Sequence, residues 1–173
     1  MAIKKRIKKG GMELSFGMIF SMILIAVFLF VAFFAIKFFL NMQCTVSEGQ
    51  FVNDFENEVE RLWASSGSEE SSFKGTIGGF CGVKEVCFVN PDMEKPQKGE
   101  FKDEYEGIQG GYDVGDNVFF YPIKSAEFGH AEIKNLNLEV LNPNPYCVAF
   151  DGGKASIKLK KNSQEELVRI VVS

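Results

Sequence analysis

The sequence predicts an α+β fold in which a long N-terminal helix crosses a membrane and is followed by a small antiparallel β-sheet head. Three observations predict it: an uninterrupted apolar run near the start, an amphipathic helical pattern behind it, and alternating apolar and polar residues between turn signals in the C-terminal half. These patterns divide the chain into a basic leader (1–11), a transmembrane helix (12–43), an amphipathic helix (44–65) and a β-rich head (66–173).

The transmembrane helix is predicted from the run Leu14–Leu40, whose 27 residues contain one charge, Lys37. At a rise of about 1.5 Å per residue the run is about 40 Å long, enough to cross a hydrocarbon core of about 30 Å with some tilt. A conventional cleaved signal peptide has a shorter apolar region and small residues at its cleavage site, so this segment predicts an anchor in the lipid bilayer. Five basic residues precede the run: Lys4, Lys5, Arg6, Lys8 and Lys9. By the positive-inside tendency they place the N-terminus in the cytoplasm and residues 41–173 outside.

An amphipathic helix is predicted directly beyond the membrane, from Glu48 to Ser65. Polar and acidic residues cover most of its surface, and the flexible stretch "SSGSEESS" ends it. We expect its apolar stripe to pack on the head. The stripe residues recur at spacings of one, three and four: Phe51, Val52, Phe55, Val59, Leu62 and Trp63.

The head is predicted to be a meander of antiparallel strands with one buried face. Two Phe- and Val-rich segments, "FKGTIGGFCGVKEVCFVN" and "NVFFYPIKS", precede the segments "AEIKNLNLEVL", "PYCVAF", "KASIKLKK" and "ELVRIVVS". The turn signals "NPNP" and "DGG" separate the later strands, as expected for an antiparallel meander. The polar, glycine-rich stretch 90–117 predicts a long loop.

Charge is distributed unevenly along the chain. Residues 1–40 carry six basic side chains and one acidic one, whereas residues 41–173 carry thirteen basic and twenty-two acidic ones. The acidic outer part argues against a nucleic-acid partner, because nucleic-acid binding needs a basic face to meet the phosphates. It fits a soluble surface domain instead.

All four cysteines lie on the predicted outer side: Cys44, Cys81, Cys87 and Cys147. An even number in an exported segment favours two disulfides. Three pairings are possible and the sequence does not choose among them: Cys81 and Cys87 could close a local loop, and Cys44 could reach a distant partner such as Cys147. A zinc site is the alternative, but there is no C-x-x-C pair and His130 is the only histidine.

The sequence contains no catalytic constellation, and it predicts neither an enzyme nor a bound cofactor or metal. G-x-S-x-G, P-loop and H-E-x-x-H motifs are absent. His130 stands at a predicted strand start, where a surface or hydrogen-bonded histidine is expected rather than a catalytic one. Asp113, Asp116 and Asn117 offer oxygen atoms in a tight loop, the pattern of a calcium site, but they lack the EF-hand spacing.

The N-terminal stretch "KKGGMELSFGMIFSMILIAVF" places a basic leader, a glycine pair, an acidic residue and a long apolar helix in that order. This order resembles the class III signal peptide of type IV pilins and archaeal pilin-like proteins, over about residues 4–65. In that family a prepilin-type peptidase cuts after the glycine on the cytoplasmic side, and the apolar helix stays on the mature protein. The resemblance implies processing after Gly10 or Gly11, so that Met12 begins the mature chain in the second case.

Glu13 would then be the third or the second residue of the mature chain, whereas the usual bacterial pattern has its glutamate fifth. A carboxylate at the edge of an apolar segment usually marks a partner, and the resemblance implies the freed α-amine of a neighbouring subunit. The alternative is that Glu13 stabilises the positive end of its own helix dipole. The chain also resembles uncharacterised archaeal single-pass membrane proteins that share the "MELSFGMIFS" opening and an "NPYC" segment.

The function implied by the resemblance is that of a pilin-like structural subunit. It would assemble through its apolar helix, with further copies or other pilin-like subunits, into a surface filament or pseudopilus. The alternative is an uncleaved single-pass membrane protein whose extracytoplasmic head binds other envelope components. Both interpretations place the protein in the cell membrane with a cytoplasmic N-terminus and an extracytoplasmic C-terminal domain. Pilin heads also pack a long helix on a small sheet, so the predicted architecture agrees with the resemblance.

Overall fold

The computed structural model describes residues 16–90, 115–122 and 129–172. Its longest element is helix α1, Phe16–Trp63, which runs without interruption through the stretch "CTVSEG". Two compact units divide this helix between them, unit 1 being Met1–Phe39 and unit 2 being Leu40–Ser173. Within the described residues, unit 1 consists of helix alone, and unit 2 combines the second part of α1 with the strands.

Helix α1 has a buried face only in unit 2. Side chains three and four positions apart lie on one face of a helix, and four of the six predicted stripe residues are buried there. Val52 is half-buried and packs against the same core. Trp63 is 46% exposed, which corrects its predicted place in the stripe. It lies one position past Leu62, about 100° further around the helix, and therefore points away from the buried face. The buried residues of α1 are Glu48, Phe51, Phe55, Val59 and Leu62.

Eight strands form two four-stranded sheets in the described part of unit 2. Sheet A has the order β1-β7-β8-β5, and sheet B has the order β4-β3-β2-β6. A 3₁₀ turn, Gly79–Cys81, lies between β1 and β2. The protein is therefore α+β, with one long apolar helix followed by two small sheets. The strands are β1 (Glu69–Thr76), β2 (Glu85–Phe88), β3 (Val118–Tyr121), β4 (His130–Ala131), β5 (Leu136–Asn137), β6 (Tyr146–Ala149), β7 (Lys154–Lys161) and β8 (Val168–Ile170).

The prediction of a single antiparallel meander is wrong in two respects. The strands are shared between two sheets, and the β5–β8 pair is parallel. The predicted "DGG" turn is present, with positive φ at Gly152 and Gly153 and one antiparallel bridge between Asp151 and Lys154, but the strands it joins, β6 and β7, belong to different sheets. Turn residues determine where a chain reverses, whereas the choice of strand partner depends on which faces are buried together.

Two element boundaries also differ from the prediction. Around "AEIKNLNLEVL" only the two-residue strands β4 and β5 form, because the chain passes from sheet B to sheet A through Asn135. The φ of Asn135 is +62°, a left-handed value that interrupts an extended strand. Strand β1 begins at Glu69, inside the predicted polar linker "SSGSEESS", because all eight of its residues pair with β7.

An aromatic cluster joins α1 to both sheets. The Phe51 ring packs edge-on against Phe73 of β1 and Phe120 of β3, at 5.3 and 5.5 Å between ring centroids. Phe55 lies 5.2 Å from Phe73 by the same measure. The close approach of helix and strand requires glycine at position 75 of β1, because a Cβ there would lie 2.1 Å from a Phe51 ring carbon. The second part of α1 is therefore the central element of the core of unit 2.

Candidate functional site

The predicted processing and assembly residues lie outside the described part of the chain. These are Gly10, Gly11, Met12 and Glu13, so leader cleavage and pairing through Glu13 stay predictions. The described residues offer three other features from which a functional site can be built. They are two cysteine pairs, an exposed apolar helix and a basic groove in sheet A.

The four predicted cysteines form two pairs at disulfide distance. Cys44 of α1 is bonded to Cys81 of the 3₁₀ turn, and Cys87 of β2 is bonded to Cys147 of β6, with Cα–Cα distances of 5.3 and 4.0 Å. The local Cys81–Cys87 loop and the Cys44–Cys147 bond considered from the sequence do not form. The reason is strand register, because Cys87 lies directly opposite Cys147 in sheet B and leaves Cys81 for Cys44. Such disulfides suggest an oxidising, extracellular environment for unit 2.

The first part of α1 exposes apolar side chains on every side. Residues 16–43 are all exposed, and an 18-residue window of the helix has a mean hydropathy of 3.0. The Ser21 hydroxyl donates a hydrogen bond to the Gly17 carbonyl at 2.8 Å, so it needs no partner outside the helix. The Lys37 ammonium lies 5.2 Å from the centroid of the Phe33 ring. By length and composition this segment could cross a membrane, and it suggests a membrane anchor.

Two of the three residues suggested as calcium ligands, Asp116 and Asn117, have partners within the protein. The Asn117 side chain accepts a hydrogen bond from the Ile133 amide and donates one to the Ile133 carbonyl, both at 2.8 Å. Asp116 lies 2.7 Å from Nδ1 of His130, so this histidine has a carboxylate partner. Asp113 lies outside the described residues. The Asn117 amide therefore holds the chain before β5 against the start of β3.

A second cluster combines Glu85, Cys87 and Cys147, whose potential ligand atoms lie within 4.8 Å of one another. The two sulfurs are joined in a disulfide, whereas zinc binds cysteine as a separate thiolate. This cluster therefore acts as a covalent link between β2 and β6.

A groove of about 660 Å³ crosses the outer face of sheet A. Three cationic side chains line it, Lys158 and Lys160 from β7 and Arg169 from β8, together with Glu70 of β1. Strand alternation explains this arrangement, because alternate residues of a strand point to opposite faces of its sheet. Leu159, between the two lysines, is fully buried on the inner face.

Glu70 lies among these cations and is held in its charged form. Lys160 donates a hydrogen bond to the Glu70 carboxylate. The same lysine, and then the charges of Arg169 and Lys158, hold the pKa of Glu70 below its ordinary value. Strands β1, β7 and β8 together carry six basic and two acidic side chains, although residues 41–173 carry an excess of acidic ones. The groove is therefore a basic surface on an acidic domain, and it is suited to an anionic partner.

A charged network fixes the end of α1 on the edge of sheet A. Arg61 donates two hydrogen bonds to the Glu58 carboxylate, at 2.9 and 3.0 Å, and one to Glu69 of β1 at 2.5 Å. Ser71 of β1 also donates to Glu58. The hydrogen bond from Arg61 is the largest cause that holds the pKa of Glu58 below its ordinary value, while partial burial opposes the shift and the Ser71 bond supports it.

The fold and these features define a class of protein, in which one helix able to cross a membrane leads into a disulfide-bonded α+β unit. Comparison with protein-family models, with curated proteins and with solved structures gives no match for this chain.

Sequence reasoning missed the basic groove, although part of the signal was present. The segment "KASIKLKK" places lysines at alternate positions, which predicts one basic face on that strand. The neighbours of that face could not be read from the sequence. Glu70 and Arg169 pair with Lys160 from two other strands, one of them ninety positions away along the chain.

Proposed function

We propose that the protein is a single-pass membrane protein that holds a disulfide-braced unit 2 on the outer side of the cell membrane, with its N-terminus in the cytoplasm. The observation that carries this proposal is the change along helix α1. Residues 16–43 expose apolar side chains in all directions, and burial on one face begins only beyond them. An apolar surface of that extent needs lipid or protein around it, because exposed apolar area is unfavourable in water. The two disulfides support an oxidising compartment for unit 2.

Membrane anchoring is tested by extraction of membranes with alkaline carbonate. The natural protein should stay in the membrane pellet. Val27→Arg, near the middle of the apolar run, should weaken insertion, because arginine at the centre of a span costs about 2.5–3.5 kcal/mol on insertion scales. Trp63→Arg is the matched control outside the apolar run and should leave the protein in the pellet. Quantitative release of the natural protein would contradict the anchor.

Topology is tested with a thiol reagent that cannot cross membranes. After mild reduction of intact cells, the reagent should label Cys44, which is the one half-buried cysteine of unit 2, from the outside. Labelling that requires opened cells would place unit 2 in the cytoplasm and contradict the proposed orientation.

A second candidate function is favoured by the continuity of α1 from its apolar part into the core of unit 2. In this proposal the protein is a pilin-like subunit, processed after Gly10 or Gly11, which assembles through its apolar helix into a filament or pseudopilus. The class III signal peptide resemblance and the helix-on-sheet arrangement support it. The apolar part of α1 has no buried residue, so neighbouring copies can replace the lipid around it without breaking contacts within its own subunit.

The intact mass of the protein extracted from its native membrane separates the two candidates. Loss of residues 1–10 or 1–11 would support prepilin-type processing, and Glu13→Gln should then impair assembly of the processed subunit. A chain that keeps its leader would leave the anchored extracytoplasmic protein as the function.

A further inference from the structure

Two surfaces of unit 2 carry opposite charges. The first, called the basic face, is the outer face of sheet A around its groove, with Lys158, Lys160 and Arg169. The second, called the acidic face, is the outward side of α1 within unit 2. It presents Glu60, which is exposed, and Glu56, which is half-buried.

The layering of unit 2 puts these faces on opposite sides of one helix–sheet pair. Phe51 and Phe55 of α1 pack on Phe73, which belongs to the inner face of sheet A, with ring centroids 5.3 and 5.2 Å apart. The acidic residues of α1 lie on the side of the helix away from this contact. The lysines of β7 lie on the side of the sheet away from it, since Leu159 between them is buried. The acidic and basic faces therefore point away from each other.

Because the two charged faces lie on opposite sides of unit 2, neither face suits a symmetric dimer in which it would meet the same face of a second copy. In a two-fold dimer the same patch meets itself, which here would bring lysines against lysines or carboxylates against carboxylates. A head-to-tail contact, in which one face meets the other face of the next copy, brings opposite charges together. Such heterologous contacts repeat, so they form rings or open filaments.

We propose that the basic face of one copy binds the acidic face of a second copy of this chain. The spacing of the charges matches. Lys158 and Lys160 stand two residues apart on a strand, about 6.6 Å along its axis. Glu56 and Glu60 stand four residues apart on a helix, about 6 Å along its axis and on one side of it. The groove admits side chains, and its aliphatic lining, including Val140 at 56% exposure, offers contact to their stems. This inference rests on the proposed assembly into filaments.

Cross-linking of the full-length protein in its membrane tests the contact directly. Copies labelled with ¹⁴N and ¹⁵N are extracted, mixed, reconstituted together into one bilayer and treated with a zero-length carbodiimide, which joins a carboxylate to a lysine amine only where the two touch. Mass spectrometry should find peptides that join Lys158 or Lys160 to Glu56 or Glu60 in mixed heavy–light pairs. Mixed pairs that join other sites, or no mixed pairs at all, would overturn the proposal.

Charge reversal then tests whether electrostatics holds the contact. Lys158→Glu should lower the yield of mixed pairs through Lys160 about tenfold, because it puts like charges in contact; pairs through position 158 are left out of this comparison, since the variant has no amine there. The double variant Lys158→Glu with Glu60→Lys should recover most of the yield. Lys134→Glu, an exposed lysine outside the groove, is the matched control and should leave the yield unchanged. Loss in the single variant without recovery in the double one would mean that a different anionic partner occupies the groove, and would refute the inference.

The carbonate extraction and the intact mass described above keep this inference separate from the proposed functions. Mixed pairs in a chain that keeps its leader would refute pilin-type processing alone. Mixed pairs in a protein that leaves the membrane would refute the anchor alone. A protein that stays in the membrane without mixed pairs would refute the head-to-tail contact alone. Intact mass without reductant confirms that each variant retains both disulfides and is therefore a fair comparison.

Discussion

Replacing Gly75 with alanine should destabilise unit 2, although alanine is ordinarily the better residue inside a strand. The Cβ of alanine at this position would lie 2.1 and 2.2 Å from two ring carbons of Phe51, and 2.8 Å from one of Phe73. Favourable contact between carbon atoms needs about 3.5–4.0 Å, so the Phe51 ring must move by more than 1 Å.

The energetic cost of Gly75→Ala depends on how little room the Phe51 ring has to move. Phe51 is 2% exposed and its ring contacts those of Phe55, Phe73, Phe120 and Phe150. Overpacking a dense core costs about 1–3 kcal/mol, and removing a strand glycine returns about 0.5–1 kcal/mol. We therefore expect Gly75→Ala to lower the free energy of unfolding by about 1–2 kcal/mol.

A double-mutant cycle isolates the contact between the two residues. Phe51→Ala alone should cost about 3–5 kcal/mol, as for other buried phenylalanines. In that background the two close contacts with Phe51 are gone and only the Phe73 ring carbon at 2.8 Å remains, and the Phe73 ring can move into the space that Phe51 leaves. Gly75→Ala should therefore cost less than about 1 kcal/mol once the Phe51 ring is removed.

Urea unfolding of the full-length protein in detergent micelles measures these energies, with the fluorescence of Trp63, the single tryptophan, as reporter. Gly49→Ala is the matched control. No atom apart from those of its chain neighbours and the adjacent helix backbone lies within 4 Å of its added Cβ, and it should stabilise helix α1 by up to about 1 kcal/mol. The reasoning is refuted if Gly75→Ala is as stable as the natural protein, or if its cost is the same with and without the Phe51 ring.

Three further predictions use the same unfolding assay. Cys44→Ser with Cys81→Ser should cost about 4 kcal/mol, from the chain entropy of a loop of 37 residues, and an unchanged urea midpoint would contradict a structural role for the bond. The pKa of Glu58 is below its ordinary value of 4.5 in the folded state. Its stabilising effect is therefore complete above pH 4.5 and is lost as the pH falls through the lowered folded value. Glu58→Gln should flatten the loss of stability in that acidic range, and an unaltered pH profile would contradict the assignment. Asn144→Asp should cost about 1–3 kcal/mol, because the buried Asn144 amide donates to the Asn90 carbonyl at 3.0 Å and accepts from the Asn90 amide at 2.9 Å. An aspartate keeps only the acceptor, and no loss of stability would show that water replaces the donor.

The apolar and amphipathic parts of α1 could be predicted because their signals are local. A helix brings residues three and four positions apart to one face. Spacing alone therefore predicts the burial of Phe51, Phe55, Val59 and Leu62. Strands such as β6 and β7 were also found, since alternation over a few residues is enough to reveal them. Trp63 shows the limit of this reasoning, because an apolar residue at a helix end can point to either side.

The candidate site was less accessible to sequence reasoning because it is assembled from distant strands. Lys158 and Lys160 are visible as a pattern, but the groove exists only because β1 and β8 flank β7. The cysteines illustrate the same point. Their number predicted two disulfides, while the choice of Cys87 for Cys147 depended on the register of β2 and β6.

The sequence by itself determined an N-terminal apolar helix able to span a membrane, followed by an acidic segment, residues 41–173, that contains all four cysteines. These properties depend on composition and on residues a few positions apart, whose relative placement is determined by the geometry of the backbone alone. Tertiary structure decided the division into two sheets, the parallel β5–β8 pair, the disulfide partners and the placing of opposite charges on opposite faces of unit 2. Each of these depends on which distant segments share a core, and that choice is made by the summed burial of apolar side chains across the whole unit.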